Sequence, residues 1–252
     1  TISFVFLLLF NKAKEAFQKI SVSQVLYISI ALTLLLQIIS ILSISTIPFS
    51  DSEYYVKLSE RLFHTGKYIS ESGHYTAFWP VGLPYYLSLL QNLSNNYLFW
   101  AKILNILISV LTIIVFYFFF KENLSQKEIK IFLLLWTFFP NNILSANVLL
   151  TEYPTILLVF SSLYFGIRKS GNKIINLLLA GFIASIAAYY RSTSVIIPLI
   201  LLMFYVKREK FKVLVSNITI VTIVMILFIS PWTIRNYNVF GGFVPLSTNS
   251  GF

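Results

Sequence analysis

The residues in this chain that could do chemistry are its few carboxylates. There are nine acidic residues among 252, and Asp51 is the only aspartate. It follows a long apolar stretch and opens the run Ser50-Asp51-Ser52-Glu53-Tyr54-Tyr55. In the first turn of a helix a carboxylate offsets the macrodipole by about 0.3–1 kcal/mol, whereas at a reaction centre it can accept a proton. Both roles are open for Asp51 on its position alone.

A second acid, Glu152, lies in the turn Thr151-Glu152-Tyr153-Pro154 between two apolar segments. A proline is common in the first turn of a helix, so this turn could simply be a helix start. An ionisable residue embedded at a membrane face, however, is more often functional. We therefore predict Asp51 and Glu152 as catalytic acids, and Glu53 as a helix-capping or secondary acid.

Three basic side chains are candidates for binding a phosphate. Arg191 precedes Lys207 by about 24 Å of helix, so it stops short of the far side of a hydrocarbon core roughly 30 Å thick. We expect it to face a watery cavity and pair with an anion; the alternative is snorkelling to lipid headgroups. Arg235 follows the interfacial pair Pro231-Trp232, and His74 lies in a loop where it could be merely solvated.

The composition predicts an all-α integral membrane protein. Hydrophobic residues make up 57% of the chain and charged residues only 11%, against roughly 25% charged in soluble domains. The net charge of +10 comes from basic residues that flank apolar segments, as expected of loops facing anionic lipid, so we expect no nucleic-acid partner. Cysteine is absent, which excludes disulfides and thiolate metal sites. His64 and His74 lack the spacing of a zinc site.

Seven apolar segments predict seven transmembrane helices within residues 22–232. They are Val22–Ile47, Tyr97–Phe120, Ile131–Leu149, Tyr153–Ile167, Ile174–Tyr190, Thr193–Val206 and Val213–Trp232. If residues 1–21 form a cytoplasmic or interfacial segment, thirteen Lys and Arg fall inside and six outside. This bias agrees with the positive-inside rule and puts five acids on the outer side. Those five are Asp51, Glu53, Glu60, Glu71 and Glu152.

Residues 48–96 form a long first outer loop in this topology. Ser50 and Glu53 have the spacing of a capping box, and Gly66 is a stop signal. The helix between them is amphipathic, which predicts that it lies on the membrane surface. The apolar stretch Pro80–Leu93 is only about 21 Å long as a helix, so we expect it to be re-entrant or interfacial.

Four stretches resemble the polytopic glycosyltransferases that use polyprenyl-phosphate sugars, the glycosyltransferase family 39 group that includes protein mannosyltransferases and the lipid A aminoarabinose transferase. The first stretch is Asp51–Tyr55, and the second is Phe78–Tyr86, which is similar to the family's proline-rich entry to the membrane. The third is Gly181–Thr193, like the family's glycine-rich helix that ends in an arginine and a small hydroxyl residue. The fourth and most specific is Pro231–Tyr237 together with Phe240–Asn249. The resemblance covers residues from about 45 to 252. Relatives often carry a basic residue and a double proline where this chain has Trp79-Pro80-Val81.

The resemblance implies a GT-C-like seven-helix module and an inverting transfer of a sugar at the outer face of a bacterial-type plasma membrane. Asp51 would act at the acceptor, which could be a glycan, a lipid or a protein. Glu152 would orient the acceptor or, with Asp51, help to hold a divalent cation, although no cofactor is required. Arg191, Arg235 and His74 would bind the donor phosphate. Relatives continue past such a module, so residues 233–252 are expected to begin a further outer loop of a truncated chain.

A different class of function stays open, namely a flippase for lipid-linked sugars or a solute transporter without transfer chemistry. Transporters are expected to have broken helices at the midplane and internal repeats. The sequence has no clear internal repeat, and its candidate polar residues lie at one face. Both observations favour the transferase.

Overall fold

The protein is built from helices. A computed structural model of the chain describes residues 17–206 and 209–249. This part contains no β-strand, and a single antiparallel bridge joins Ile69 to Tyr75. The helices are α1 (Val22–Ser43), α2 (Asp51–Thr65), α3 (Gly82–Leu93), α4 (Tyr97–Lys121), α5 (Gln126–Phe138), α6 (Pro140–Leu144), α7 (Glu152–Ile167), α8 (Lys173–Tyr190), α9 (Ile197–Val206) and α10 (Phe211–Phe240). Most of the predicted segment 1–21, as well as Lys207 and the end of 233–252, lies outside the described residues.

Within the described ranges, four helices are long and apolar enough to cross a membrane: α1, α4, α8 and α10. A fifth crossing is present if α5, α6 and the following 3₁₀ turn count as one bent span. Helix α7 and the segment Ser192–Val206 are apolar but shorter. The chain is therefore a membrane-embedded all-α protein with four or five candidate spans, and the count of seven stays a prediction.

The predicted span Ile131–Leu149 is not one straight helix. Helix α5 ends at Phe138, and α6 with the turn Ser145–Asn147 leaves at an angle of 52°. The break has a local cause, because Pro140 disfavours the helical conformation in the residue before it. Phe139 accordingly has extended dihedral angles, with φ −66° and ψ 121°. The continuous helix that we predicted here is wrong.

The capping box predicted at Ser50 and Glu53 is also wrong, although helix α2 does begin at Asp51. Ser50 has φ +50°, not the extended conformation of an N-cap, and its side chain receives no capping hydrogen bond. It is the only non-glycine residue with a positive φ in the described part of the chain. The Glu53 carboxylate instead lies 2.7 Å from the ammonium of Lys57. The predicted stop at Gly66 is confirmed, with φ +66°.

Capping boxes do occur at two other helix starts. The Ser21 hydroxyl accepts a hydrogen bond from the Gln24 N–H, and the Gln24 side chain accepts one from the Ser21 N–H. Ser125 and Glu128 form the same reciprocal pair before α5. Each pair satisfies two backbone donors that a helix start would otherwise leave unbonded.

Helices α2 and α3 pack against each other and against the end of the bundle. Tyr55 and Leu58 on the apolar face of α2 are buried in protein, so much of this face contacts α3 and the neighbouring loop. At the start of α3, a Cβ atom on Gly82 would lie 2.7 Å from the Tyr189 carbonyl oxygen. This close approach needs glycine and holds α3 against the last turn of α8.

The largest buried cluster joins α7, α8, α9 and α10. Helix α8 presents a face of small residues to its neighbours, with Ala180, Ala184 and Ala188 fully buried. A Cβ atom on Gly181 would lie 2.7 Å from the Cβ of Val224 on α10. Small residues let membrane helices approach closely, since packing rather than the hydrophobic effect holds them together in lipid.

Helix α10 is longer than predicted. It continues past Trp232 and Arg235 to Phe240, with Pro231 inside it, and ends where Gly241 adopts φ +67°. Residues 233–240 therefore belong to the helix, and the loop that we expected from residue 233 begins only after it.

Candidate functional site

Three chain segments that are distant in sequence meet at one end of the bundle. They are the first residue of α2, the first residue of α7 and the residue that follows α8. Together they enclose a polar cavity of about 160 Å³. The cavity is lined by Asp51, Tyr55, Trp79, Pro80, Leu150, Thr151, Glu152, Tyr190, Arg191, Ser192, Thr193 and Asn249.

Arg191 and Glu152 form an ion pair in this cavity. The Nη1 atom of Arg191 donates to Oε1 of Glu152 over 2.6 Å, and both side chains are a little under half exposed. Arg191 can reach across because it ends α8 in an extended conformation, with φ −142° and ψ 117°. We predicted that Arg191 would face a watery cavity and pair with an anion, and in the described structure that anion is Glu152.

The second oxygen of Glu152 has a different environment. Oε2 is buried and makes no hydrogen bond to any residue that the structure describes. A buried carboxylate oxygen without a partner is costly in a folded protein. Oε2 is thus a buried acceptor that has no donor in the part of the chain that the structure describes.

Asp51 lines the same cavity and is exposed. The Ser50 hydroxyl donates to the Oδ1 atom of Asp51 over 3.5 Å, the outer limit of a hydrogen bond. Within residues 17–206 and 209–249, no basic side chain lies within 4 Å of its carboxylate. Asp51 thus presents a carboxylate without an ion-pair partner in the described structure, next to the strained backbone of Ser50.

Tyr55 forms the buried wall of the cavity and was missed as a site residue. Burial raises the pKa of its phenol to about 12. The hydroxyl of Thr151 lowers this pKa, and the negative charges of Asp51 and Glu152 raise it. The phenol consequently stays protonated at neutral pH. In the sequence, Tyr55 belongs to the run that follows Asp51 and to the apolar face of the amphipathic helix α2, and neither feature indicated a role in the site.

The segment after α10 folds back over the cavity. The backbone N–H groups of Thr248 and Asn249 donate to the carbonyls of Ala77 and Phe78 over 2.8 and 3.1 Å. The hydroxyls of Ser192 and Ser247 are 2.6 Å apart. These contacts bring Asn249, the last residue of the fourth resemblance stretch, into the cavity.

Arg235 and His74 do not line this cavity. The guanidinium of Arg235 donates to the carbonyls of Tyr68 and Thr76, each over 3.0 Å. It also stacks over Trp232 at 4.7 Å from the ring centroid. Arg235 therefore ties the loop of residues 68–76 to α10. His74 is exposed in that loop, and its carbonyl accepts from the N–H of Ser70. Phosphate binding by these two residues stays a prediction.

An apolar groove of about 680 Å³ adjoins the polar cavity, and Tyr190 lines both. Two of the groove's walls are α3 and the end of α8, which the contact at Gly82 holds together. The remaining wall is α10. The lining residues are Val81, Gly82, Tyr85, Tyr86, Leu89, Ile186, Tyr189, Tyr190, Pro231 and Trp232.

Asp51 and Glu152 are the two residues that we predicted could hold a divalent cation. They line one cavity, and Oε2 of Glu152 is buried without a hydrogen-bond partner among the described residues. Over the described ranges, His, Asp and Glu side chains form no cluster of three or more. Mg²⁺ is commonly bound by one or two carboxylates together with substrate oxygens, and a cation at Asp51 and Glu152 stays a prediction.

The sequence thus identified three of the residues that line the polar cavity, namely Asp51, Glu152 and Arg191. It did not single out Tyr55, Tyr190 and Asn249 as site residues, although all three lie in the stretches that carry the family resemblance, because their place in the cavity depends on contacts between distant segments. Comparison with protein families, curated proteins and solved structures finds no match to this chain.

Proposed function

We propose that this protein is an inverting glycosyltransferase that moves a sugar from a polyprenyl-phosphate carrier to an acceptor. The observation that carries the proposal is the adjacency of two surfaces of different chemistry. The polar cavity holds Asp51, Glu152 and Arg191, and the apolar groove begins at their shared residue Tyr190. A carrier with a charged phosphate and a long hydrocarbon tail needs such a pair of neighbouring sites.

In the proposed reaction, the carboxylate of Asp51 accepts the proton of the acceptor hydroxyl or amine. The acceptor atom then forms a bond to the anomeric carbon, on the side opposite the phosphate. The bond between that carbon and the phosphate oxygen breaks, and the polyprenyl phosphate leaves with the electron pair. The guanidinium of Arg191 stabilises the negative charge that develops on the leaving group.

Glu152 has two roles in this proposal. Oε1 holds Arg191 in place, since the two are paired over 2.6 Å. Oε2, which lacks a partner in the described structure, accepts a hydrogen bond from the acceptor or binds a divalent cation. The acceptor itself can be a glycan, a lipid or a protein, because its identity depends on contacts beyond this cavity.

We further propose that the chain crosses the membrane seven times and that the cavity lies on the outer face of a bacterial-type plasma membrane. The distribution of Lys and Arg over the connectors supports this orientation. Helix α7 and the segment Ser192–Val206 would be the two short crossings. Cysteine accessibility to a membrane-impermeant reagent, with single cysteines at Lys67 and Lys127, would test the proposed sides.

The test of the proposed activity is release of a labelled sugar from its carrier. Membranes containing the protein are incubated with a radiolabelled pool of polyprenyl-phosphate sugars, and the label that leaves the lipid is measured. Asp51→Asn is expected to lower the rate by roughly 10²–10⁴, the usual contribution of a general base. Glu60→Gln is the control, because Glu60 is an exposed acid on the same helix outside the cavity.

If transfer survives in Asp51→Asn, the role of Asp51 is to offset the helix macrodipole at the start of α2 and not to act as a general base. No transfer by the unmodified protein would count against a transferase altogether.

One observation favours the transporter as a second candidate. The break at Pro140 lies beside a buried polar cluster, in which the Gln37 amide donates to the carbonyl of Asn142 over 2.6 Å and to the Ser109 hydroxyl over 2.9 Å. Broken helices with buried polar groups are typical of substrate sites in transporters. The test is whether the protein in proteoliposomes moves a labelled lipid-linked sugar across the bilayer without cleaving it. Loss of this movement with Gln37→Met would support the transporter.

A further inference from the structure

A second cavity, of about 410 Å³, lies on the other side of the first turn of α2. Asp51 and Leu150 line the proposed catalytic cavity, whereas their chain neighbours Ser52 and Leu149 line this one. Its further walls are the end of α1, the extended residues 44–49 and the start of α4. We call it the Lys102 cavity, after the only charged residue in its described lining.

Lys102 is a half-buried cation inside a candidate membrane span. It lies about 7.5 Å along α4 from the start of that helix at Tyr97. Its ammonium donates to the hydroxyl of Thr46 over 2.8 Å and to the Thr46 carbonyl over 3.3 Å. An ammonium has three donors, so one remains for a ligand. No carboxylate lies within 4 Å of it among the residues that the structure describes.

The partner of Lys102 is held in place by a further hydrogen bond. The Thr46 hydroxyl donates to the carbonyl of Asn147 over 2.9 Å, so its lone pairs are left to accept from Lys102. The ammonium is therefore fixed at the cavity. A lysine that merely reached for the aqueous surface would not need this arrangement.

The walls around this cation combine polar side chains with large apolar ones, and several of the apolar ones are strongly exposed. Leu42 and Ile47 are 81% and 80% exposed, and Phe49 is 62% exposed. All three line the cavity. The described lining contains no acid. One positive charge near the start of a candidate span, beside exposed aliphatic and aromatic side chains, matches a molecule with one phosphate and attached acyl chains.

We propose that the Lys102 cavity binds the phosphate of a membrane phospholipid, with the acyl chains along Leu42, Ile47 and Phe49. A cation within a span that has no carboxylate partner in the described structure is a candidate functional site. A phosphate oxygen is an acceptor that forms a strong, charge-assisted hydrogen bond with an ammonium. This site is separate from the proposed transfer reaction and does not rest on it. The bound lipid would fill the gap between α1, α4 and the first turn of α2.

The test uses the detergent-solubilised full chain titrated with dipalmitoyl phosphatidylglycerol, with bound lipid counted by native mass spectrometry. Lys102→Met is expected to raise the dissociation constant of the first lipid roughly ten-fold, the effect of losing one charged hydrogen bond. Lys102→Arg keeps the charge and should bind within a few-fold of the unmodified protein. Lys67→Met is the matched control, because Lys67 is an exposed lysine of the outer loop that does not line the cavity.

Two further ligands distinguish the sources of the binding energy without any substitution. Dipalmitoylglycerol, which lacks the phosphate, should bind much more weakly than phosphatidylglycerol. Inorganic phosphate at the same concentration as the lipid should not displace it. Equal binding by the unmodified protein and Lys102→Met, equal binding of dipalmitoylglycerol, or displacement by inorganic phosphate would each overturn the proposal.

Discussion

Arg191 and Glu152 are paired over 2.6 Å although they are 39 positions apart in the chain. Glu152 is the first residue of α7 and Arg191 directly follows α8, and these two helix ends meet at the polar cavity. The pair is a little under half exposed, and such pairs stabilise a fold by only about 0–1 kcal/mol. The stability of the protein therefore does not explain the pair, and its value lies in holding a guanidinium at the cavity.

Arg191→Met is expected to abolish sugar transfer while changing the melting temperature little. The physical reason is that, in the proposed reaction, the charge acts on the leaving phosphate, whereas a half-exposed ion pair contributes weakly to folding. The measurement combines the label-release assay with thermal unfolding in detergent. Arg61→Met is the control, since Arg61 is paired with Glu71 over 3.2 Å outside the cavity. A large loss of stability with Arg191→Met would instead make the pair structural.

Arg235→Lys is expected to lower the melting temperature in the absence of any substrate. The planar guanidinium donates to two loop carbonyls at once and stacks over Trp232, which an ammonium cannot reproduce. We expect a loss of about 1–3 kcal/mol, the range for a charged hydrogen bond removed from a buried carbonyl. An unchanged melting temperature together with lost donor binding would favour the phosphate-binding role that the sequence predicted.

Gly82→Ala is expected to reduce both stability and transfer. The added Cβ would lie 2.7 Å from the carbonyl of Tyr189, so α3 and the end of α8 must separate. Overpacking of this kind costs about 1–3 kcal/mol, and the separation would distort the groove that the two helices line. The control is Gly242→Ala, where an added Cβ meets nothing within 4 Å. Similar melting temperatures for both variants would show that the contact at Gly82 can relax.

The raised pKa of Tyr55 predicts that the free energy of unfolding decreases at high pH. Its folded pKa is about 12 against a reference of 10.0, so between these values the unfolded phenol releases its proton while the folded one keeps it. The contribution of Tyr55 to the free energy of unfolding should therefore be fully present below pH 10 and decrease as the pH rises towards 12. Tyr55→Phe should flatten this fall, measured as melting temperature against pH. Tyr54→Phe, at an exposed neighbouring position, should leave it unchanged.

Several local features of the fold could be predicted because their causes lie within a few residues. Apolar runs indicated the long helices, and Gly66 indicated the end of α2, where only glycine adopts φ +66° without cost. Pro140 and the pair Ser21 and Gln24 carried equally local signals that the sequence interpretation overlooked. The exception is Ser50, whose positive φ cannot be recognised from a serine that has the spacing of a capping box.

The sequence by itself determined that the protein is helical and membrane-embedded, and that Asp51, Glu152 and Arg191 are unusual in such surroundings. A charged residue within an apolar membrane segment is energetically costly, so its type and its position in the sequence are informative on their own. Only the tertiary structure decided that Glu152 is the anion beside Arg191, that Arg235 is engaged by loop carbonyls, and that Asn249 reaches the cavity. These contacts join segments far apart in the chain, and they depend on helix packing that no local pattern encodes.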